Sequence, residues 1–157
     1  MSEAFLFGLI GKARERIIQQ VDNVPEAQRH VVPTGFNNSL LWQLGHIITV
    51  ADGITLRYGG FESKIPSSYG QLFNNGTKPA DWQDEPPHWD TLIQQLTEQF
   101  QGLQDTLQGR LGDPVAVKDN FAKAQTIGEL VALNMSHENL HLGMITAMVK
   151  VLNLNNQ

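Results

Sequence analysis

No cysteine occurs in this chain. That removes disulfides, thiolate metal ligands and a cysteine nucleophile together. Long apolar runs are missing too: no stretch approaches the about 18 residues a membrane helix needs. Basic residues are few and scattered. The eleven Lys and Arg run from Lys12 to Lys150, and the net charge is −5. No basic stripe is available to follow a phosphate backbone, so nucleic acid is not an expected partner. The opening MSEAFLFGLIGKARER has no basic residue ahead of its apolar patch and no small-residue cleavage site. It does not read as a signal peptide, and a cytoplasmic protein with no membrane partner is the expectation.

Strand periodicity is lacking as well. Val115-Ala116-Val117 comes nearest to alternation and is too short to found a sheet. There is no G-x-S-x-G elbow, no complete Walker loop and no G-x-G-x-x-G. No internal repeat or low-complexity tail breaks the chain, so its 157 residues are expected to form one domain, 1–157. A chain of this size buries roughly 68–70% of its unfolded surface, enough for a core without staples.

Helical periodicity is what the sequence does have. Phe5, Leu9, Ala13, Ile17 and Val21 recur at helical spacing, with Pro25 just past the end. A second helix follows Pro33-Thr34-Gly35, where Asn37, Asn38 and Ser39 can all cap a start. Its stripe is Leu41, Leu44, Ile48, Ala51 and Thr55, stopped by Gly59-Gly60. A third runs from Trp89 to Gln108, between Pro86-Pro87 and Gly109. The fourth opens at Thr126-Ile127-Gly128-Glu129, which fits a capping box, and continues to Leu152. Four long amphipathic helices predict an all-α four-helix bundle, antiparallel or crossover-connected. The connection from Gly59 to Pro87 is long and carries Phe61, Tyr69, Phe73 and Trp82. Loops beyond about 12–15 residues are usually functional or disordered. This one reads as an ordered crossover draping one end of the bundle, or as one that also lids or lines a pocket.

The fourth helix contains His137-Glu138-Asn139-Leu140-His141, which fits H-E-x-x-H. In metallopeptidases with that pattern two histidines bind zinc and the glutamate activates water. His137 and His141 lie about 40° apart around a helix, so one metal can reach both. They also continue an apolar stripe from Ile127 through Leu130 and Asn134 to Met144 or Ile145, Met148 and Leu152. Buried imidazoles need partners. A metal is one solution, and hydrogen bonds to carbonyls or to Asn134 are another. The peptidase pattern needs a further ligand downstream, and nothing after His141 is His, Asp or Glu. A zincin is therefore not expected, and a third ligand has to lie upstream. His46, on an apolar face of the second helix beside Gly45, is the candidate. Gly45 itself either permits close helix approach or leaves room above a site. Three inward histidines on two helices supply the usual protein complement of a catalytic zinc site. His30 and His88 read as surface residues.

Asn37, Ser39, Trp42, Gly45 and His46 form Asn-x-Ser-x-x-Trp-x-x-Gly-His, and His137, His141 and Gly143 follow about 90 residues later. This pattern resembles the DinB/YfiT-like superfamily over essentially the whole chain. The resemblance implies a four-helix bundle that holds a divalent metal, zinc or nickel, through three histidines matching His46, His137 and His141, with water in the remaining positions. It implies a homodimer acting on a small molecule, either as a thiol-dependent S-transferase using a low-molecular-weight thiol or as a metal-dependent hydrolase. A metal would hold the thiol as the reactive thiolate or activate water. Glu138 is the candidate catalytic base, or else a flank residue paired elsewhere or facing solvent. Asn37 and Asn134 are candidate pocket residues, or else a cap and a core hydrogen-bonder. The alternative to an enzyme is a noncatalytic metal- or ligand-binding helical bundle, supported by the lack of any convincing acid or base besides Glu138.

Overall fold

The computed structural model describes residues 2–154. Residue 1 and residues 155–157 of the expected domain lie outside it. Six α-helices form among the described residues: α1 (Glu3–Val21), α2 (Glu26–Arg29), α3 (Leu40–Ala51), α4 (Tyr69–Phe73), α5 (Trp89–Leu107) and α6 (Ile127–Leu154). Asp52–Arg57 extends α3 as a π-helical stretch. No strand forms among the described residues. The all-α bundle therefore stands, with α1, α3, α5 and α6 as its long members.

The caps explain the helix starts. Ser2 Oγ accepts from Phe5 N, and Ser39 Oγ accepts from Trp42 N, each at 3.3 Å. Ser39 caps α3, while Asn37 is exposed. At α6 the box closes both ways: Glu129 N donates to Thr126 Oγ1, and Thr126 N donates to Glu129 Oε2. Each such cap stabilises its helix by about 1 kcal/mol.

Core composition fixes the helix directions. The N-terminal half of α1 (Leu6, Phe7, Ile10) packs in one apolar cluster with the N-terminal end of α6 (Ile127, Leu130, Val131). The C-terminal ends of α3 and α5 (Ala51, Leu103, Leu107) join that cluster. The opposite cluster takes Ile17 and Val21 of α1, Leu40 to Ile48 of α3, Leu92 and Leu96 of α5, and Ile145 to Leu152 of α6. So α1 runs parallel to α6, and α3 runs parallel to α5. A parallel α3–α5 pair cannot be joined by a short turn. The chain must return along about 27 Å of α3 and its π extension. This accounts for the long connection, and α4 is the ordered piece of it that packs on α3.

A polar layer separates the two clusters. It consists of Arg14 on α1, Gln99 on α5, and Asn134, Glu138 and His141 on α6. Two expected stripes are corrected in part here. On α1, Ala13, Ile17 and Val21 are buried as expected, but Phe5 is 57% exposed, and Leu6, Phe7, Ile10 and Arg14 complete the buried face. Strict fourth-residue spacing drifts about 40° per step and leaves the core face. On α6 the expected Leu130 is buried too, but the seam that runs the length of the helix is Ile127, Val131, Asn134, Glu138, His141, Ile145, Met148 and Leu152. Those positions alternate four and three apart, the spacing of a bundle seam. Glu138 lies in that seam, and His137 lies at its edge, half-buried.

Candidate metal centre

His46 stands in the middle of α3. Its ring stacks on Trp42, with centroids 4.4 Å apart and planes 14° from parallel. Trp42 is itself anchored by its indole N–H, which donates to Thr77 Oγ1 at 2.9 Å. His46 Nδ1 lies 2.6 Å from the Phe73 carbonyl oxygen. A carbonyl only accepts, so the proton sits on Nδ1, and Nε2 presents a lone pair. Phe73 reaches this position because Gly45 lacks a side chain: a Cβ there would lie 2.5 Å from the Phe73 ring. The space beside Gly45 is thus filled by α4, whose last residue orients His46.

His141 is oriented from the same helix. Its Nδ1 lies 2.6 Å from Gln43 Oε1, and both residues are buried. Gln43 is nearly one turn before His46, so one face of α3 supplies both a histidine and the partner of another. His137 completes the group from the preceding turn of α6. Its Nε2 lies 3.2 Å from His46 Nε2. Its Nδ1 is buried and has no partner among the described residues.

The nitrogens that His46, His137 and His141 can offer all lie within 4.8 Å of one another. Two imidazole nitrogens facing each other at 3.2 Å need a proton or a cation between them. A tetrahedral ion with Zn–N bonds of about 2.0–2.1 Å sets its ligand nitrogens roughly 3.3 Å apart. Outward-facing Nδ1 partners are also what a ligating imidazole requires. The residues therefore fit a divalent metal. Their protonation states agree. Burial lowers the pKa of His46 against the raising effect of its bond to Phe73. Burial, then repulsion from His46, lowers His137 to about 4. Burial, then His137 and His46, lowers His141 to about 3. Near neutral pH all three are uncharged imidazoles, the form that ligates.

The cluster forms part of the wall of a cavity of about 1010 Å³. The π stretch contributes Gly53, Ile54 and Arg57, and α6 contributes Leu140 and Met144. Asn74 and Asn75, just after α4, line it as well. The long connection thus both braces His46 and walls the cavity. A smaller hollow of about 210 Å³ near Lys64 and Gln99 shares no lining residue with it.

Glu138 does not join the histidines. Its carboxylate faces the polar layer, where Arg14 Nε and Nη2 donate to it at 2.9 and 2.7 Å. Asn134 Nδ2 donates to the same carboxylate at 2.8 Å. Arg14 also donates to the Leu96 carbonyl and to Gln99 Oε1. Of the readings of Glu138, the one that pairs it elsewhere holds: it forms a fully buried ion pair with Arg14, and it neither faces solvent nor reaches the histidines. The physical reason is angular: Glu138 is about 100° from His137 around the helix and turns toward Arg14 on α1, whereas His141, also in the seam, turns toward Gln43 on α3. Asn134 is a core hydrogen-bonder, and its Oδ1 has no partner among the described residues. His30 and His88 are exposed.

Sequence reasoning missed Gln43, Phe73 and Arg14. Gln43 had a signal, a polar residue one helical turn from His46 on an apolar helix. Arg14 had one too, a cation at a core-face position of α1. Phe73 acts through its backbone, which no residue type reveals.

The DinB superfamily model matches residues 9–145. No curated protein matches the chain.

Proposed function

Because the chain belongs to the DinB superfamily, we propose that it is a divalent-metal-dependent enzyme that transfers a low-molecular-weight thiol to a small electrophile. One observation carries this reading: three neutral imidazoles, two of them oriented from behind, converge at the wall of a large cavity. A metal held by His46, His137 and His141, zinc or nickel, would supply Lewis acidity that favours the deprotonated form of a thiol. The chain's own contribution is positioning. Phe73 and Gln43 fix the imidazoles of His46 and His141, and Trp42 covers one face of His46.

Hydrolysis is the second reading, and the cavity favours it less. Among the described residues that line it there is no carboxylate, and Glu138 is tied to Arg14. Water has a pKa of about 15.7 and needs a strong base or a strongly acidic metal. A thiol, at about 8.5, needs far less help. The noncatalytic alternative keeps the same metal site without turnover. A screen of zinc- and nickel-loaded protein against small thiols paired with electrophiles separates these readings. Thiol-dependent turnover that disappears on chelation is expected. Turnover of esters or amides without any thiol would favour hydrolysis, and no turnover in either format would favour a binding module.

A further inference from the structure

The cavity holds one cation that the metal reading does not use. Among the described residues lining it, Arg57 is the only Lys, Arg, Asp or Glu. It ends the π stretch, and its side chain folds back along its own helix. A Cβ on Gly53 would sit 3.1 Å from Arg57 Nη2, so the glycine makes room for the guanidinium. Its Nε pairs with the buried Asp52 carboxylate at 3.5 Å. Asp52 also accepts from Ser63 Oγ at 2.8 Å and Lys64 N at 2.9 Å, so the pair engages the Arg57 Nε and leaves the terminal nitrogens of the fork toward the cavity. The Arg57 side chain is 53% exposed, and its planar fork has donors to spare. Around it the wall is apolar and open: Phe121 is 68% exposed and Leu140 is 63% exposed. Large exposed apolar groups beside a single preorganised cation match an amphipathic anion.

We propose that this cavity takes a small carboxylate with an aromatic or aliphatic body, and that Arg57 anchors its carboxylate while Phe121, Leu140 and Met144 hold its body. The assignment deepens the reading of the cavity as a substrate site and rests on it. It makes Arg57 a specificity residue: the substrate's anionic end is bound away from its reacting end.

The test uses 2-naphthoate and its uncharged amide, titrated by calorimetry into zinc-loaded protein and into chelated protein, with zinc content measured separately. Naphthoate is expected to bind one per chain, about tenfold or more tighter than the amide. Arg57→Gln is expected to bring naphthoate down to the level of the amide and leave the amide unchanged. Arg57→Lys, which keeps charge but loses the fork, is expected to fall between. Because Arg57 needs no metal, the same pattern is expected after chelation, so failure of the metal site remains separate. Naphthoate affinity within twofold of wild type in Arg57→Gln overturns the proposal. So does binding lost on chelation alone, which would place the carboxylate at the histidines, and so does the absence of naphthoate binding to wild type.

Discussion

The two sides of α6 in the middle of the bundle solve one problem in opposite ways. On the inner side, Glu138 is buried and closed off by Arg14, Asn134 and, through Arg14, Gln99. On the outer side, one residue earlier and three later, His137 and His141 meet His46 at an open cavity. The inner group is self-sufficient: a carboxylate and a guanidinium neutralise each other. The outer group is neutral and electron-rich, with lone pairs turned toward each other and nothing among the described residues to share them. One half of H-E-x-x-H therefore builds the fold, and the other half offers a site.

Breaking the inner side should cost most. Removing one partner of a buried ion pair leaves the other charge unpaired, typically about 3–5 kcal/mol. Glu138→Ala is expected to lose stability of that order in denaturant melts. Arg14→Met combined with Glu138→Leu should recover most of it, because no charge is left stranded. If Glu138→Ala instead melts like wild type, the polar layer does not hold the bundle as described.

Next comes the outer brace. Gln43→Ala frees His141 Nδ1 without touching a candidate ligand. Losses of about 10–100-fold in metal affinity are usual when such a partner is removed, with a change in fold stability well below that of Glu138→Ala. Equal metal affinity in competition titrations would deny Gln43 that role.

The smallest and most gradual contrast is with pH, measured on metal-free protein. Unfolded histidines titrate near 6.5, whereas His137 and His141 are lowered to about 4 and about 3 by burial. Above about pH 6.5 both states are neutral, and these groups give no slope. As pH falls below that, the unfolded chain gains protons that the folded one refuses. Stability should decline toward pH 4 and level off as the folded groups protonate. In a variant with all three histidines replaced by Gln, this part of the slope should be absent.

How much of this was legible in the sequence varies with the kind of interaction. Long helices announce themselves by periodicity and caps, so Thr126 with Glu129 placed the start of α6 to the residue. His46, His137 and His141 were legible because three like side chains on inward faces have few explanations. For Glu138 the motif alone left a base, a paired flank residue and a solvent-facing one open, whereas the four-and-three spacing from Val131 to Leu152 already puts it inside. Arg14 was not singled out, although it stands four residues after Ile10 and three before Ile17, on the buried face of α1. The crossover was readable as ordered from its aromatics. That it braces His46 was not readable, because the contact uses the Phe73 carbonyl and the missing side chain of Gly45.

The central claim is that the histidines, and not the glutamate between them, make a metal site. Metal content per chain, measured by mass spectrometry after loading with zinc or nickel and desalting, tests it most directly. About one ion per chain is predicted for wild type and for Glu138→Gln, with near-complete loss in His46→Ala and in His141→Ala. Unchanged metal content in the two histidine variants, or loss confined to Glu138→Gln, would contradict it.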